Sequence, residues 1–111
     1  MMKKIEIFEY GDNAPLKKWI DSIDNSLRRR IINRINQIEE EGHFGDFKVI
    51  DNEIKELRFK FSLGYRIYFH ETNNVIILLL CGGNKSTQSK DIKKAKEYLK
   101  IWRELKHGKK I

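Results

Sequence analysis

The sequence predicts a small α+β domain in the order strand, helix, helix, three antiparallel strands, helix, arranged as a sandwich whose polar sheet face stays open. Three observations carry this prediction. Two apolar stripes at helical spacing precede Gly42, the repeat then switches to strand alternation between Ile54 and Leu80, and a lysine-studded amphipathic stretch closes the chain. With 111 residues there is room for one core only, because a chain this short buries only roughly two-thirds of the surface it exposes when unfolded. Residues 1–105 are therefore expected to form a single domain and 106–111 a loose basic tail.

Each element has its own signal. Lys3 to Tyr10 alternates as a strand, and Gly11-Asp12-Asn13 supplies turn chemistry and then a helix start. Pro15 suits the first helical position, and Leu16, Trp19, Ile20 and Ile23 recur at helical spacing. A second helix opens near Asn25 or Ser26 with Leu27, Ile31, Ile35 and Ile38 in one stripe, Arg28, Arg29 and Arg34 largely away from it, and Gly42 closing it. The two helices make a hairpin. From Ile54 to Phe61, Leu57, Phe59 and Phe61 share one face while Glu56, Arg58 and Lys60 share the other. Tyr65 to His70 repeats the device, with Tyr65, Ile67 and Phe69 inward and Arg66, Tyr68 and His70 outward. Val75 to Leu80 has no polar face, as expected of a central strand covered on both sides. Ile92, Ala95, Leu99 and Trp102 mark a final helix from Ser89 to about Leu105.

Composition narrows the function classes. The 23 Lys+Arg against 16 Asp+Glu give a formal charge of +7 and a pI near 9.5, a balance that favours a polyanionic partner through phosphate neutralisation and counterion release. The single cysteine, Cys81, cannot form an internal disulfide, which fits a reducing cytoplasm. Its place at the end of an apolar strand marks a buried structural thiol rather than a nucleophile. Acidic residues stand in Ile5 to Tyr10, where the apolar segment of an export signal would lie. The longest apolar run, Val75 to Cys81, is far shorter than the ~20 residues of a membrane helix, so no membrane association is expected. Three scattered histidines and one cysteine give no metal-ligand spacing, and no Walker loop, dinucleotide fingerprint or nucleophile elbow is present. Neither a metal nor another cofactor is expected.

Two arginines and a lysine stand out chemically. If the Ser62-Leu63-Gly64 turn pairs its strands in the ordinary antiparallel way, Arg58 and Arg66 point to the same side, and two planar guanidinium forks on a rigid sheet match phosphate oxygens. Cross-strand pairing of either arginine with Glu56 or Glu71 is the competing reading. Lys85 follows Gly82-Gly83, which allows a ligand to approach the backbone closely and leaves amide donors exposed. The three cations would converge on one patch able to bind a phosphate and stabilise charge building on it. Tyr68 and His70, on the same face, are the nearby groups with proton-transfer or stacking capacity, whereas His43 and His107 have no cluster around them.

From roughly Phe8 to Trp102 the chain resembles the RelE/ParE superfamily of type II toxins, and within it the addiction-module killer proteins related to HigB. The likeness rests on Trp19-Ile20, on Gly42-His43-Phe44-Gly45-Asp46, and on Glu56-Leu57-Arg58. It continues through Gly64-Tyr65-Arg66-Ile67-Tyr68-Phe69 and the segment from Leu78 to Ile92, which contains Cys81-Gly82-Gly83-Asn84-Lys85-Ser86-Thr87-Gln88. The subgroup more often carries Asp at the position of Asn84 and Gly-Pro-Gly where this chain has Ser62-Leu63-Gly64; neither change removes a cation. The resemblance implies a RelE-like fold and a ribosome-dependent, metal-independent mRNA endonuclease (an mRNA interferase) that arrests growth by inhibiting translation. A protein antitoxin, often a helix-turn-helix repressor of the HigA type, would hold it inactive. In such toxins the RNA 2′-hydroxyl is the nucleophile, so the protein must align the nucleotide, neutralise the phosphate and manage protons. The resemblance gives Arg58, Arg66 and Lys85 the clamp roles; the family's proton donor and acceptor do not transfer to single positions of this chain, and Tyr68 and His70 stand as catalytic candidates by their place on the sheet face. Lys55 and Lys60 would flank the site, and Ser86, Gln88 and Lys90 complete the implied RNA-binding set. The alternative within the same superfamily is a ParE-like gyrase poison that cuts no RNA, since fold does not fix function.

Overall fold

The computed structural model describes residues 3–61, 63–73 and 76–107. Ser62 of the expected turn, Val75 at the head of the expected central strand, residues 108–111 of the expected tail, Met1, Met2 and the His107 side chain lie outside the described residues. Strand β1 (Lys4–Ile7) is followed by helices α1 (Pro15–Asp21) and α2 (Asn25–Glu41). Strands β2 (Phe47–Val49), β3 (Lys55–Arg58), β4 (Arg66–Thr72) and β5 (Ile76–Gly83) come next, then a 3-10 turn (Lys85–Thr87) and helix α3 (Gln88–His107). Helix α3 thus runs past Leu105, and Lys106 belongs to it rather than to a tail. Among the described residues no helix is long and apolar enough to cross a membrane.

Local chemistry sets the helix ends. Pro15 occupies the start of α1, where its missing N–H costs nothing. Asp24 caps α2 by accepting from the Ser26 amide at 3.1 Å. Gly42 ends α2 in the left-handed region at φ 77°, its N–H donating to the Ile38 carbonyl at 2.8 Å. Arg28 does not project away from the hairpin. Its guanidinium donates to the carbonyls of Ile20, Asp21 and Ile23 at 3.1, 3.2 and 3.1 Å, capping the carbonyl end of α1 and joining the two helices.

The sheet order is β1-β5-β4-β3-β2, with β1 parallel to β5 and every other pair antiparallel. The middle strand is therefore β4, and β5, expected at the centre, lies between β4 and the edge strand β1. On one face the helical hairpin packs Leu16, Ile31 and Ile38 against Leu57, Ile67, Phe69, Ile77 and Leu79. On the other face α3 packs Ala95 and Leu99 against Phe8, Ile54, Tyr68, Leu78 and Leu80. The sandwich is a three-layer one, and the sheet face expected to stay open is covered. Alternation identifies two sides of a strand but not what lies on each, and here the polar-looking side carries Tyr68 and Glu56, both fully buried.

A register shift beside Tyr68 and Phe69 sets Leu80 and Cys81 on the α3 side together. The next two residues are the glycine pair, and each faces a neighbour that admits no side chain. A Cβ at Gly82 would collide with the Trp19 ring, and one at Gly83 with the Asp91 carboxylate and the Thr87 hydroxyl. The close backbone approach expected of Gly82-Gly83 is made to α1 and α3. Cys81 is buried, its thiol pushed up to about 12 by burial and by the Asp91 carboxylate, so it is a packing residue.

Candidate nucleic-acid interface

Arg58 and Arg66 are directly opposed across β3 and β4, so both side chains leave the same face of the sheet. The connecting turn needs Gly64, whose φ is 72°. Above the turn, the Lys85 amide donates to the Leu63 carbonyl at 3.3 Å and brings the β5–α3 loop over the strand ends. Asn84 shapes that loop by accepting from the Ser86 amide at 2.9 Å, while Thr87 Oγ accepts from the Asn84 amide at 3.1 Å. An aspartate at position 84 would accept in the same way. The result is a cavity of about 210 Å³ walled by Arg58, Lys60, Arg66 and Lys85, with Asp46, Phe59, Gly64 and Tyr65 completing the lining.

Both arginines are anchored from behind by Glu56. Its carboxylate is 0% exposed and lies 3.2 Å from Arg58 Nε and 3.3 Å from Arg66 Nε, and it accepts from Gln88 Nε2 at 2.6 Å. Arg66 also donates from one terminal nitrogen to the Gly64 carbonyl at 2.7 Å. Arg66 pairs with Glu56 across the strands and Arg58 pairs with it along β3, and both arginines also line the cavity, so pairing with Glu56 does not exclude a place in the cavity wall. The outward expectation for Arg66 needs correction, since it is buried. The guanidinium lies within the wall of the cavity, and the charge partner that makes burial tolerable is Glu56.

Arg34 of α2 is a third structural arginine that the helical stripe does not reveal. Its guanidinium donates to the carbonyls of Arg58, Phe44 (2.8 Å) and Asp46 (2.7 Å) and stacks 4.7 Å from the Phe59 ring centroid. It fixes the Gly45-Asp46 loop against the end of β3, which sets Asp46 at the cavity rim. Asp46 Oδ2 lies 3.9 Å from the Nζ of Lys60, an exposed cation of the lining.

The remaining sequence candidates are dispersed. Tyr68 is buried beneath α3 and does not line the cavity. Burial and the adjacent Glu56 charge raise its pKa strongly, which suits a core phenol. His70 lies elsewhere, beside Trp102 and Arg103, with its Nδ1 2.6 Å from the Glu53 carbonyl. A carbonyl only accepts, so Nδ1 carries the proton. Lys55 leaves β3 on the hairpin side and pairs with Glu71 at 3.0 Å, alongside Lys3. Burial opposes ionisation of Glu71, but the hydrogen bonds from Lys3 and Lys55 prevail and hold its pKa below the ordinary value. Ser86 is exposed with its hydroxyl on Asn84 Oδ1 at 2.6 Å, Gln88 is committed to Glu56, and Lys90 is exposed on the first turn of α3.

The antiparallel-rich sheet between a helical hairpin and a C-terminal helix is a RelE-like fold. A structure of free E. coli toxin RelE carrying two arginine-to-alanine substitutions superposes with a TM-score of 0.64 at 14% identity, covering 87% of this chain and 97% of that one. The intact E. coli RelBE toxin-antitoxin complex gives a TM-score of 0.56 at 12% identity over 74% of this chain and 95% of that one. Residues 18–100 match the family described as phage derived protein Gp49-like (DUF891), and the chain belongs to that family. An uncharacterized protein of Haemophilus influenzae is 46% identical over 79 residues, 70% of this chain and 79% of that protein.

Proposed function

We propose that this protein is the toxin of a type II toxin-antitoxin pair and acts as a metal-independent endoribonuclease on mRNA at the ribosome, within the HigB-like branch. The observation that carries the proposal is the convergence of Arg58, Arg66 and Lys85 on one cavity in a RelE fold. In the proposed reaction the RNA 2′-oxygen attacks the adjacent phosphorus, the P–O5′ bond breaks, and the products carry a 2′,3′-cyclic phosphate and a 5′-hydroxyl. The attacking hydroxyl loses a proton and the leaving oxygen gains one. Arg58 and Arg66 would hold the phosphate oxygens and Lys85 would add a third positive charge as negative charge accumulates there. Asp46, Lys60, Tyr65 and Lys85 are the groups on the cavity wall that can exchange protons, a wall that Tyr68 and His70 do not line. Lys60 and Lys90 would guide the RNA backbone.

The partner expected is an antitoxin of the helix-turn-helix HigA type covering the basic face with an acidic or amphipathic segment. The structural likeness to a toxin-antitoxin complex supports an antitoxin partner in this sense. The test is cleavage of a defined message on purified 70S ribosomes. Wild-type protein should cut, Lys85→Ala should abolish cutting while antitoxin affinity stays within about fivefold, and Lys85→Arg should retain partial activity because charge survives with altered geometry. Wild-type protein that leaves the message intact but blocks gyrase supercoiling, with Lys85→Ala blocking equally well, would establish the ParE-like alternative instead.

A further inference from the structure

We infer that Glu56 is the positioning residue of the cation-lined cavity: its buried carboxylate bridges Arg58 and Arg66 by their Nε atoms and thereby turns their terminal nitrogens toward a bound phosphate. The inference rests on the cavity being the phosphate site proposed above. Glu56 lines no part of the cavity and is fully buried, so it touches no substrate. The two contacts are ion pairs of nearly equal length, 3.2 and 3.3 Å, one to each oxygen, and are held by charge rather than by aligned hydrogen bonds, since neither Glu56 Oε1 nor Arg66 Nε has a hydrogen-bond partner among the described residues. An ion pair at Nε leaves the terminal nitrogens of Arg58, and the Arg66 terminal nitrogen that does not donate to the Gly64 carbonyl, available to an anion, and it removes rotamer freedom that binding would otherwise have to remove. Gln88 fixes the carboxylate in turn, donating to Oε2 at 2.6 Å from the first residue of α3. The bridge therefore joins β3, β4 and α3 at a single point behind the site.

This role makes an expectation opposite in sign to simple electrostatics. A negative charge near an anion site weakens anion binding, so a purely charge-balancing Glu56 would give tighter binding on conversion to neutral glutamine. A positioning Glu56 gives weaker binding, because the arginines lose their shared anchor. The experiment uses the full chain and inorganic phosphate as probe. It follows the backbone amides of Gly64 and Lys85 and the Nε–H signals of Arg58 and Arg66 by ¹H–¹⁵N NMR. In Glu56→Gln the two Nε–H signals should collapse toward the position of free arginine, and phosphate affinity should fall about tenfold, while the amide spectrum stays that of the folded protein. Unmoved Nε–H signals, or phosphate affinity equal to or above wild type, would overturn the assignment. If Glu56→Gln does not fold, Glu56→Asp decides, since it keeps the charge but withdraws the carboxylate by one methylene. Weaker phosphate binding and shifted Nε–H signals there support the role, and wild-type behaviour removes it. Absence of ribosomal cleavage by the wild-type chain alongside these NMR results would end the ribonuclease reading and leave Glu56 assigned; cleavage with unchanged NMR signals in the variant would do the reverse.

Discussion

Removing the guanidinium at position 58 and removing it at position 66 are different experiments, because the Arg58 side chain is 38% exposed and that of Arg66 only 10%. Arg58→Ala should lower the proposed cleavage by ~10²–10³, the usual loss for one charge-assisted transition-state contact, and should lower the urea midpoint because it too takes a charge partner from the buried Glu56 carboxylate, though by less than Arg66→Ala, whose own side chain is buried. Arg66→Ala should show the same catalytic loss together with destabilisation of about 1–3 kcal/mol, since it takes a partner from a buried carboxylate. Parallel urea titrations and ribosomal cleavage assays check both; equal midpoints for the two variants would contradict the difference in burial. The common facing of these arginines is legible in the sequence, because strand alternation on either side of a short turn fixes which residues share a side. Glu56 is legible as a cross-strand partner for the same reason. Burial is not legible: Tyr68 reads as outward, yet α3 seals it, and nothing local to β4 records that. Arg34 is hidden more deeply still. Its three carbonyl partners come from a loop and a strand that meet α2 only in the finished fold.

Among the elements, the end of β5 is where packing is tightest. Gly82→Ala should cost about 1–3 kcal/mol by driving a methyl group into the Trp19 ring. Part of that loss should return in a Gly82→Ala, Trp19→Leu double variant, and denaturation of the three proteins against wild type measures it. The turn between β2 and β3 gives a pH-dependent counterpart. Asp51 accepts from the Glu53 and Ile54 amides at 2.9 Å each and pairs with Lys96 of α3 at 2.7 Å. The Lys96 hydrogen bond foremost, then those amides, lowers its pKa from 3.8 to about 2. A carboxylate depressed on folding stabilises the protein above its unfolded pKa, and that contribution disappears as pH falls through about 2. Asp51→Asn should therefore flatten the stability profile between pH about 4 and about 2, which thermal melts across that range would record. The helices and the two long antiparallel strands are legible from their periodicity. The short strand β2 is not, since Phe47–Val49 is exposed throughout and shows no buried side to read.

At the scale of the whole molecule, charge is sorted by α3. Lys96, Arg103 and Lys106 tie the helix to Asp51, Glu53 and Glu6, whereas Lys90, Lys93 and Lys100 are exposed and have no ion-pair partner among the described residues. The net +7 is thus presented partly as an exposed row beside the cavity loop. Association with an acidic antitoxin segment should slow steeply as salt rises, because attraction between exposed charges is screened beyond a Debye length of roughly 10 Å at 0.1 M. Stopped-flow measurements with the neighbouring gene's product at low and high salt check this; a rate independent of salt would point to apolar contact instead.

The parallel pairing of β1 with β5 has a consequence in time. Lys4 opposes Ile76, so strand β1 must wait for synthesis of a partner roughly 70 residues downstream, a long-range closure that folds slowly. Lys85 follows that partner, and α3, which Gln88 opens, follows Lys85. The nascent chain cannot assemble the cation cavity until the segment through Lys85 and Gln88 has left the exit tunnel. A cell translating this message therefore gains an interval, set by elongation and strand closure, in which a neutralising partner can be ready before the site exists.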